Sequence, residues 1–319
     1  MAAALRPGWV KPATILFACE FPVNEKAFGV ALAEAIEFDA GLIVFHAYDS
    51  APVAGAQSAG LQRRAYGDCR AQRERFEPLA QRAENLGVRC SVVVRPGRAA
   101  DEILKLLREL RVDRVVMGAH TPGPIGKLLV GSVAEAVLRG ANVPVNIVGP
   151  FVADDAYRRV AGRTILCSTC AQSSSCIVAR FVAELAAKHK ATLILQHVIP
   201  PQESAEILAG RNLGQMATEL YSFIPAELQG TIDVRTRAFV GDPTEDLLYQ
   251  SRSQRANLIV MGAQGASPFA AATRSGIVYK VLAYAHCPVI TLSPIVLAEC
   301  GATEQPIARV SESSMAGVF

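Results

Sequence analysis

A chain of 319 residues, 51% hydrophobic and 19% charged, is long enough for two cores of ordinary size, and its composition excludes disorder for the body of the protein. The 32 basic and 29 acidic residues leave +3, too little for a committed nucleic-acid binder. No apolar run reaches the ~18 residues that span a bilayer, and the opening MAAALRPGWVKP lacks the apolar centre of a secretion signal, so no membrane partner and a cytoplasmic address are expected.

In chain order, apolar runs begin at Ala13 (ATILFA), Leu42 (LIVFHA), Arg89 (RCSVVV), Arg114 (RVVMGA) and Val143 (VPVNIV). None alternates with polar residues, as expected for parallel strands covered on both faces. Helical periodicity occupies Glu25 to Glu37, Leu61 to Leu86, Ala99 to Leu110 and Ser132 to Arg139. Strand and helix therefore alternate, which predicts a doubly wound α/β sheet with its ligand site beyond the carboxyl ends of the strands.

The chain then repeats itself. Ala13 onward aligns with Arg163 onward, pairing Ile15 with Ile165 and His46 with His197; Leu110 to Val148 reappears as Gln254 to Leu292, pairing Gly118 with Gly262 and Pro144 with Pro288 without insertion. A repeat of this length is a whole domain. The expected organisation is domain 1 over 13–150, a linker over 151–162, domain 2 over 163–293 and a mobile tail over 294–319.

Most remaining chemistry reads as structural. Cys90 and Cys167 fall in buried strands, and the Cys167-Ser-Thr-Cys170 group starts inside a strand rather than opening a helix, so neither redox chemistry nor a metal site is expected. Arg63, Arg64, Arg70, Arg73 and Arg75 alternate with Asp68, Glu74 and Glu77 as on a solvated helix face. His46 and His197 stand at strand ends, where packing and a backbone hydrogen bond account for them. Lys127 reads as a solvated loop lysine, since no Walker-type sequence surrounds it. No catalytic triad or paired carboxylates recur in both halves, so the chain is not expected to be an enzyme.

The loop after RVVMGA is the exception. Gly118-Ala-His-Thr121, then Gly131-Ser132, leads from a strand end to a helix start, where unpaired N–H groups suit an anion. Ser132-Val-Ala-Glu135 is also a complete capping box, and that reading accounts for Ser132 without a ligand.

MGAHTPGPIGKLLVGS with NVPVNIV, and MGAQGASPFAAATRSG with HCPVITL, resemble the universal stress protein family in its tandem form, whose pattern is G-x2-G-x9-G-[ST] after a strand ending in Met-Gly. PGRAADEIL and VGDPTEDLL match the family's entry to a helix. The resemblance implies two tandem five-stranded Rossmann-like domains of the adenine nucleotide alpha hydrolase type. It also implies an ATP site. Glu20 stands at the ribose-binding aspartate position and Ala47 at the adenine side, with Met117, Gly118, Gly131, Ser132 and Val133 in the phosphate loop, where Thr121 replaces the second glycine. In domain 2 the pattern keeps Met261, Gly262 and Gly265 but reads Ser275-Gly276, and Cys170 replaces the aspartate. These departures favour ATP in domain 1 over a degenerate domain 2. The alternative is a nucleotide-independent module with both sites degenerate that binds an unknown protein partner. Family members pair through the last strand, which implies an intrachain pseudo-dimer of two separate sheets docked through VPVNIV and CPVITL.

Overall fold

The computed structural model describes residues 5–48, 69–119, 130–153, 163–169, 175–209, 212–263 and 276–300. The first half comprises α1 (Pro7–Val10), β1 (Thr14–Ala18), α2 (Glu25–Phe38), β2 (Gly41–Tyr48), α3 (Glu77–Glu84), β3 (Cys90–Pro96), α4 (Ala99–Glu109), β4 (Arg114–Gly118), α5 (Ser132–Gly140) and β5 (Val145–Val148). The second comprises β6 (Thr164–Ser168), α6 (Ser175–His189), β7 (Thr192–Ile199), α7 (Pro201–Ile207), α8 (Leu213–Ser222), β8 (Val234–Val240), α9 (Pro243–Ser253), β9 (Leu258–Gly262), α10 (Ile277–Tyr284), β10 (Val289–Leu292) and α11 (Pro294–Glu299).

The inner strands are mainly apolar because helices cover both faces of the sheet; Ile15, Leu16 and Phe17 of β1 are fully buried, whereas the outermost strand β8 carries Arg235 and Arg237. The order is β3-β2-β1-β4-β5-β10-β9-β6-β7-β8, so each half has the same order read outward from the centre. Here the expectation of two separate sheets is corrected. All neighbours run parallel except β5 and β10, which pair antiparallel with Ile147 opposite Val289 and Asn146 opposite Ile290. One continuous ten-stranded sheet results. With both faces already covered, the remaining unsatisfied surface of β5 and β10 is the row of backbone N–H and C=O groups at each edge, and edge pairing satisfies it. The seam is close-fitting: a Cβ on Gly149 would lie 2.6 Å from the Leu282 carbonyl oxygen, and the Ser293 hydroxyl donates to the Ala141 carbonyl at 2.5 Å.

The helix expected over Leu61–Leu86 is interrupted. Residues 69–74 are helical, the chain turns at Arg75 and Phe76, and α3 follows. Pro78, in the first turn of α3, cannot donate back to Glu74, so the helix cannot run through. The exposed Arg70–Glu74 and Arg73–Glu77 ion pairs fit the solvated face expected there; Arg63 and Arg64 lie outside the described residues. The tail expected beyond residue 293 begins as α11, whose first turn is capped by the Ser293 hydroxyl (Val296 N, 3.1 Å) and whose Val296 and Leu297 are buried. Residues 301–319 lie outside the described part.

Charged groups bridge the two halves beside the seam. Arg163 and His189 of the second half both donate to one oxygen of Glu37 on α2, at 2.5 and 2.7 Å. Burial would raise the Glu37 carboxyl, but these hydrogen bonds and the neighbouring charges outweigh it and hold the pKa at about 2 instead of 4.5. A carboxyl depressed on folding stabilises the protein above its unfolded pKa, and that contribution is lost as pH falls from 4.5 through about 2. Wild type is therefore expected to lose more stability than Glu37→Gln between about pH 6 and about pH 3 in urea unfolding; equal losses would remove Glu37 as the source.

Candidate functional site

A cavity of about 680 Å³ opens where β1, β2 and β4 end and α2 and α5 begin. That volume is in the range of small-molecule sites. Its walls begin with the strands. Phe17 of β1, Phe45 of β2 and Met117 of β4 supply apolar surface, with Ile103 of α4. Beyond Ala18 the chain leaves the sheet at Cys19 and Glu20, which also line the cavity. Burial, and then the charge of Glu20, push the Cys19 thiol up to about 12, so this thiol stays protonated and unreactive.

Asn24 closes one side. Its Oδ1 accepts from Ala27 N at 3.0 Å and caps α2, while its amide lies so close to Gly118 that a Cβ there would stand 2.5 Å from Nδ2. Gly118 is thus required by close approach rather than by a turn. Gly131 is required by the turn: at φ 85°, ψ 142° it occupies a region open almost only to glycine.

That conformation corrects the expected capping box. Gly131, not Ser132, is the N-cap of α5, and no side chain caps it. Glu135 N donates to Gly131 O at 3.0 Å, and the Glu135 carboxylate pairs with Arg139 one turn on. Ser132 at the first helical position cannot reach back across the turn as a cap does. The N–H groups of Ser132, Val133 and Ala134 therefore begin the helix without intrahelical acceptors, at the cavity wall and at the positive end of the helix dipole.

Glu20, Ala47, Met117, Gly118, Gly131, Ser132 and Val133 thus all line one cavity. Thr121, His120 and Lys127 lie outside the described residues. Phe17, Phe45 and Asn24 are among the wall residues not singled out from the sequence. Phe45 carries a usable signal, since it stands two positions before Ala47 on a strand and so faces the same side. Asn24, directly before an amphipathic run, carries an N-cap signal.

His46 and His197 do as expected. Nδ1 of His46 bonds the Cys19 carbonyl at 3.0 Å and Nδ1 of His197 the Thr169 carbonyl at 2.9 Å, tying the end of each first strand to its neighbour.

Among the described residues, the second half differs from the first at the matching wall positions. Met261 is buried and Gly262 ends β9; Gly265 and Cys170 lie outside the described residues. Gly276 is the N-cap of α10 at φ −63°, a conformation any residue adopts. Against Gly262, where a Cβ would point, stand Val178 at 3.4 Å and Leu297 of α11 at 3.7 Å. The positions of Phe17 and Phe45 hold Cys167 and Gln196, and the fully buried Gln196 amide has no hydrogen-bond partner. Arg6, beside α1, fastens α11 through Glu299 at 2.7 Å. Leu297 of α11 thus packs beside the end of β9.

The described residues contain no group of His, Cys, Asp and Glu able to hold a metal ion and no helix long and apolar enough to cross a membrane. None of the seven described cysteines is in a disulfide.

Comparison with known proteins follows the same division into halves. The model of the universal stress protein family matches residues 13–149 and again 163–293. A universal stress protein of Thermus aquaticus is 34% identical over 140 residues, 42% of this chain and 97% of its own length. One from Methanocaldococcus jannaschii is 29% identical over 127 residues, 40% of this chain and 75% of its own length. The crystal structure of a universal stress protein from Archaeoglobus fulgidus superimposes with a TM-score of 0.66 at 18% identity, covering 89% of this chain and 97% of that one, and shares the fold.

Proposed function

Because the chain belongs to the universal stress protein family, matched over both halves, we propose that it is a cytoplasmic stress-response regulatory module that binds one adenine nucleotide, in the cavity of its first half. The observation that carries this reading is the convergence of Glu20, Ala47, Met117, Gly118 and the Gly131-Ser132-Val133 turn on one cavity of about 680 Å³. Its apolar wall suits a base, Glu20 suits a sugar hydroxyl, and the uncapped start of α5 suits a phosphate. Each repeat forms one domain, the two joined by residues 151–162 and paired as a pseudo-dimer at the β5–β10 seam. The second domain, with Leu297 against Gly262, contributes the seam and a surface for partners rather than a second nucleotide site. No turnover is assigned, because the histidines nearest the strand ends spend Nδ1 on backbone carbonyls.

Equilibrium binding of ATP and AMP to the full-length protein tests the reading. Saturation at one nucleotide per chain is expected. Saturation at two would return the second half to service, and no measurable affinity for either nucleotide would end the proposal in favour of a nucleotide-independent interaction module.

A further inference from the structure

Asn24 is held by one end of its side-chain amide. Its Oδ1 accepts from Ala27 N at 3.0 Å, a bond that only an acceptor can make, so the opposite end is the NH2 group. No described residue accepts from the Nδ2 protons. The oxygen caps α2, and the nitrogen lies at the wall of the first-half cavity, which Asn24 lines together with Met117 and Gly118. Capping requires the oxygen alone, and serine or aspartate would supply one as well. The cap therefore accounts for half of this side chain.

Gly118 gives the other half its seat. A Cβ there would lie 2.5 Å from Nδ2 and 3.0 Å from Cγ, so a larger residue displaces the amide. At the matching place in the second half, the described atoms within reach of a Cβ on Gly262 are carbons of Val178 at 3.4 Å and Leu297 at 3.7 Å. Those are ordinary contacts, and neither side chain is a donor. Phe17, Phe45, Ile103 and Met117 make an apolar wall for a base, while Asn24 stands beyond the strands, where β4 ends and α2 begins. Water can serve the Nδ2 protons there, and a ligand that displaces it keeps the bond by presenting an oxygen. Resting on the adenine-nucleotide reading, we propose that Asn24 binds the ligand as well as capping α2, its Nδ2 donating to an oxygen of the sugar or phosphate. The cap at Ala27 N fixes the direction of that bond.

Calorimetry of full-length wild type, Asn24→Asp and Asn24→Ser with AMP and adenosine, beside thermal unfolding of each, tests it. Both substitutions keep an oxygen for Ala27 N, so thermal midpoints are expected to stay close to that of wild type. Asn24→Asp has the same shape without the donor and is expected to weaken AMP binding by about tenfold or more. Asn24→Ser, uncharged and too short to lie against Gly118, is expected to weaken it by about three- to tenfold. A residue that only caps leaves AMP affinity unchanged in both variants, and that result overturns the inference while the adenine reading stands. A loss in Asn24→Asp with none in Asn24→Ser also overturns it, since the new charge rather than the missing donor would be the cause. An equal loss for adenosine puts the acceptor on the sugar and a loss confined to AMP puts it on the phosphate; either supports the bond. If wild type binds neither compound, the adenine reading itself fails and the inference with it.

Discussion

Gly131→Asp is expected to abolish nucleotide binding, by more than about 100-fold, while leaving a folded protein. Three effects act together on binding. The new carboxylate stands at the N-cap of α5, where it accepts the same N–H groups a phosphate needs. It also repels that phosphate. Finally, a non-glycine residue at φ 85° is strained by about 1–3 kcal/mol, which the turn relieves by moving. The capping bond offsets about 1 kcal/mol of that strain, so the thermal midpoint should fall only modestly. Gly131→Ala separates the effects, since it keeps the strain but adds neither cap nor charge: it should weaken binding less and destabilise more than the aspartate does. Calorimetric titration and thermal unfolding of both variants decide the matter, and an aspartate variant that binds nucleotide as wild type would place the ligand away from α5.

Glu34→Ala is expected to cost about 3–5 kcal/mol of stability, as breaking a buried ion pair does. Glu34 on α2 meets the Arg114 guanidinium at 3.0 Å and the Asn146 amide at 2.5 Å. Arg114 is 1% exposed and spends another N–H on the Trp9 carbonyl at 2.5 Å. Without Glu34 its charge is buried and uncompensated. The second half supplies the control: Leu258 and Ile290 stand at the positions of Arg114 and Asn146, and Glu184, at the position of Glu34, pairs instead with Arg180 on its own helix. Adding Arg114→Leu and Asn146→Ile to Glu34→Ala should therefore recover most of the loss, apart from about 1 kcal/mol for the Trp9 carbonyl left without its donor. Urea midpoints of the single and triple variants measure this. A loss under about 1 kcal/mol in the single variant would mean that water reaches Arg114.

The alternation of elements and the duplication were legible in the sequence because both rest on local patterns. Apolar runs such as RVVMGA mark strands covered on both faces, and the equal spacing from Gly118 to Gly262 and from Pro144 to Pro288 marks a copied unit. Less legible were features decided by contacts between distant residues. Ser132 and Glu135 satisfy the spacing of a capping box, but the positive φ of Gly131 moves the cap one residue earlier, and spacing does not report φ. Pro294 to Glu299 is too short to show a period, and it is helical because Val296 and Leu297 find a buried seat. The packing of Leu297 beside Gly262 joins residues well separated in the chain, which no local pattern encodes. Edge pairing of β5 with β10 and docking of two sheets look alike in the sequence, because the final strands carry the same apolar signal in either arrangement.

The seam between β5 and β10 joins residues of a single polypeptide, so dilution cannot part its two sides: each strand meets its neighbour at an effective concentration set by the connecting segment. A seam between identical chains would oblige every change to appear on both sides of the axis at once. Here Gly149 and Ser293, or Asn146 and Ile290, occupy matching places with different chemistry, so each side is free to change without its twin.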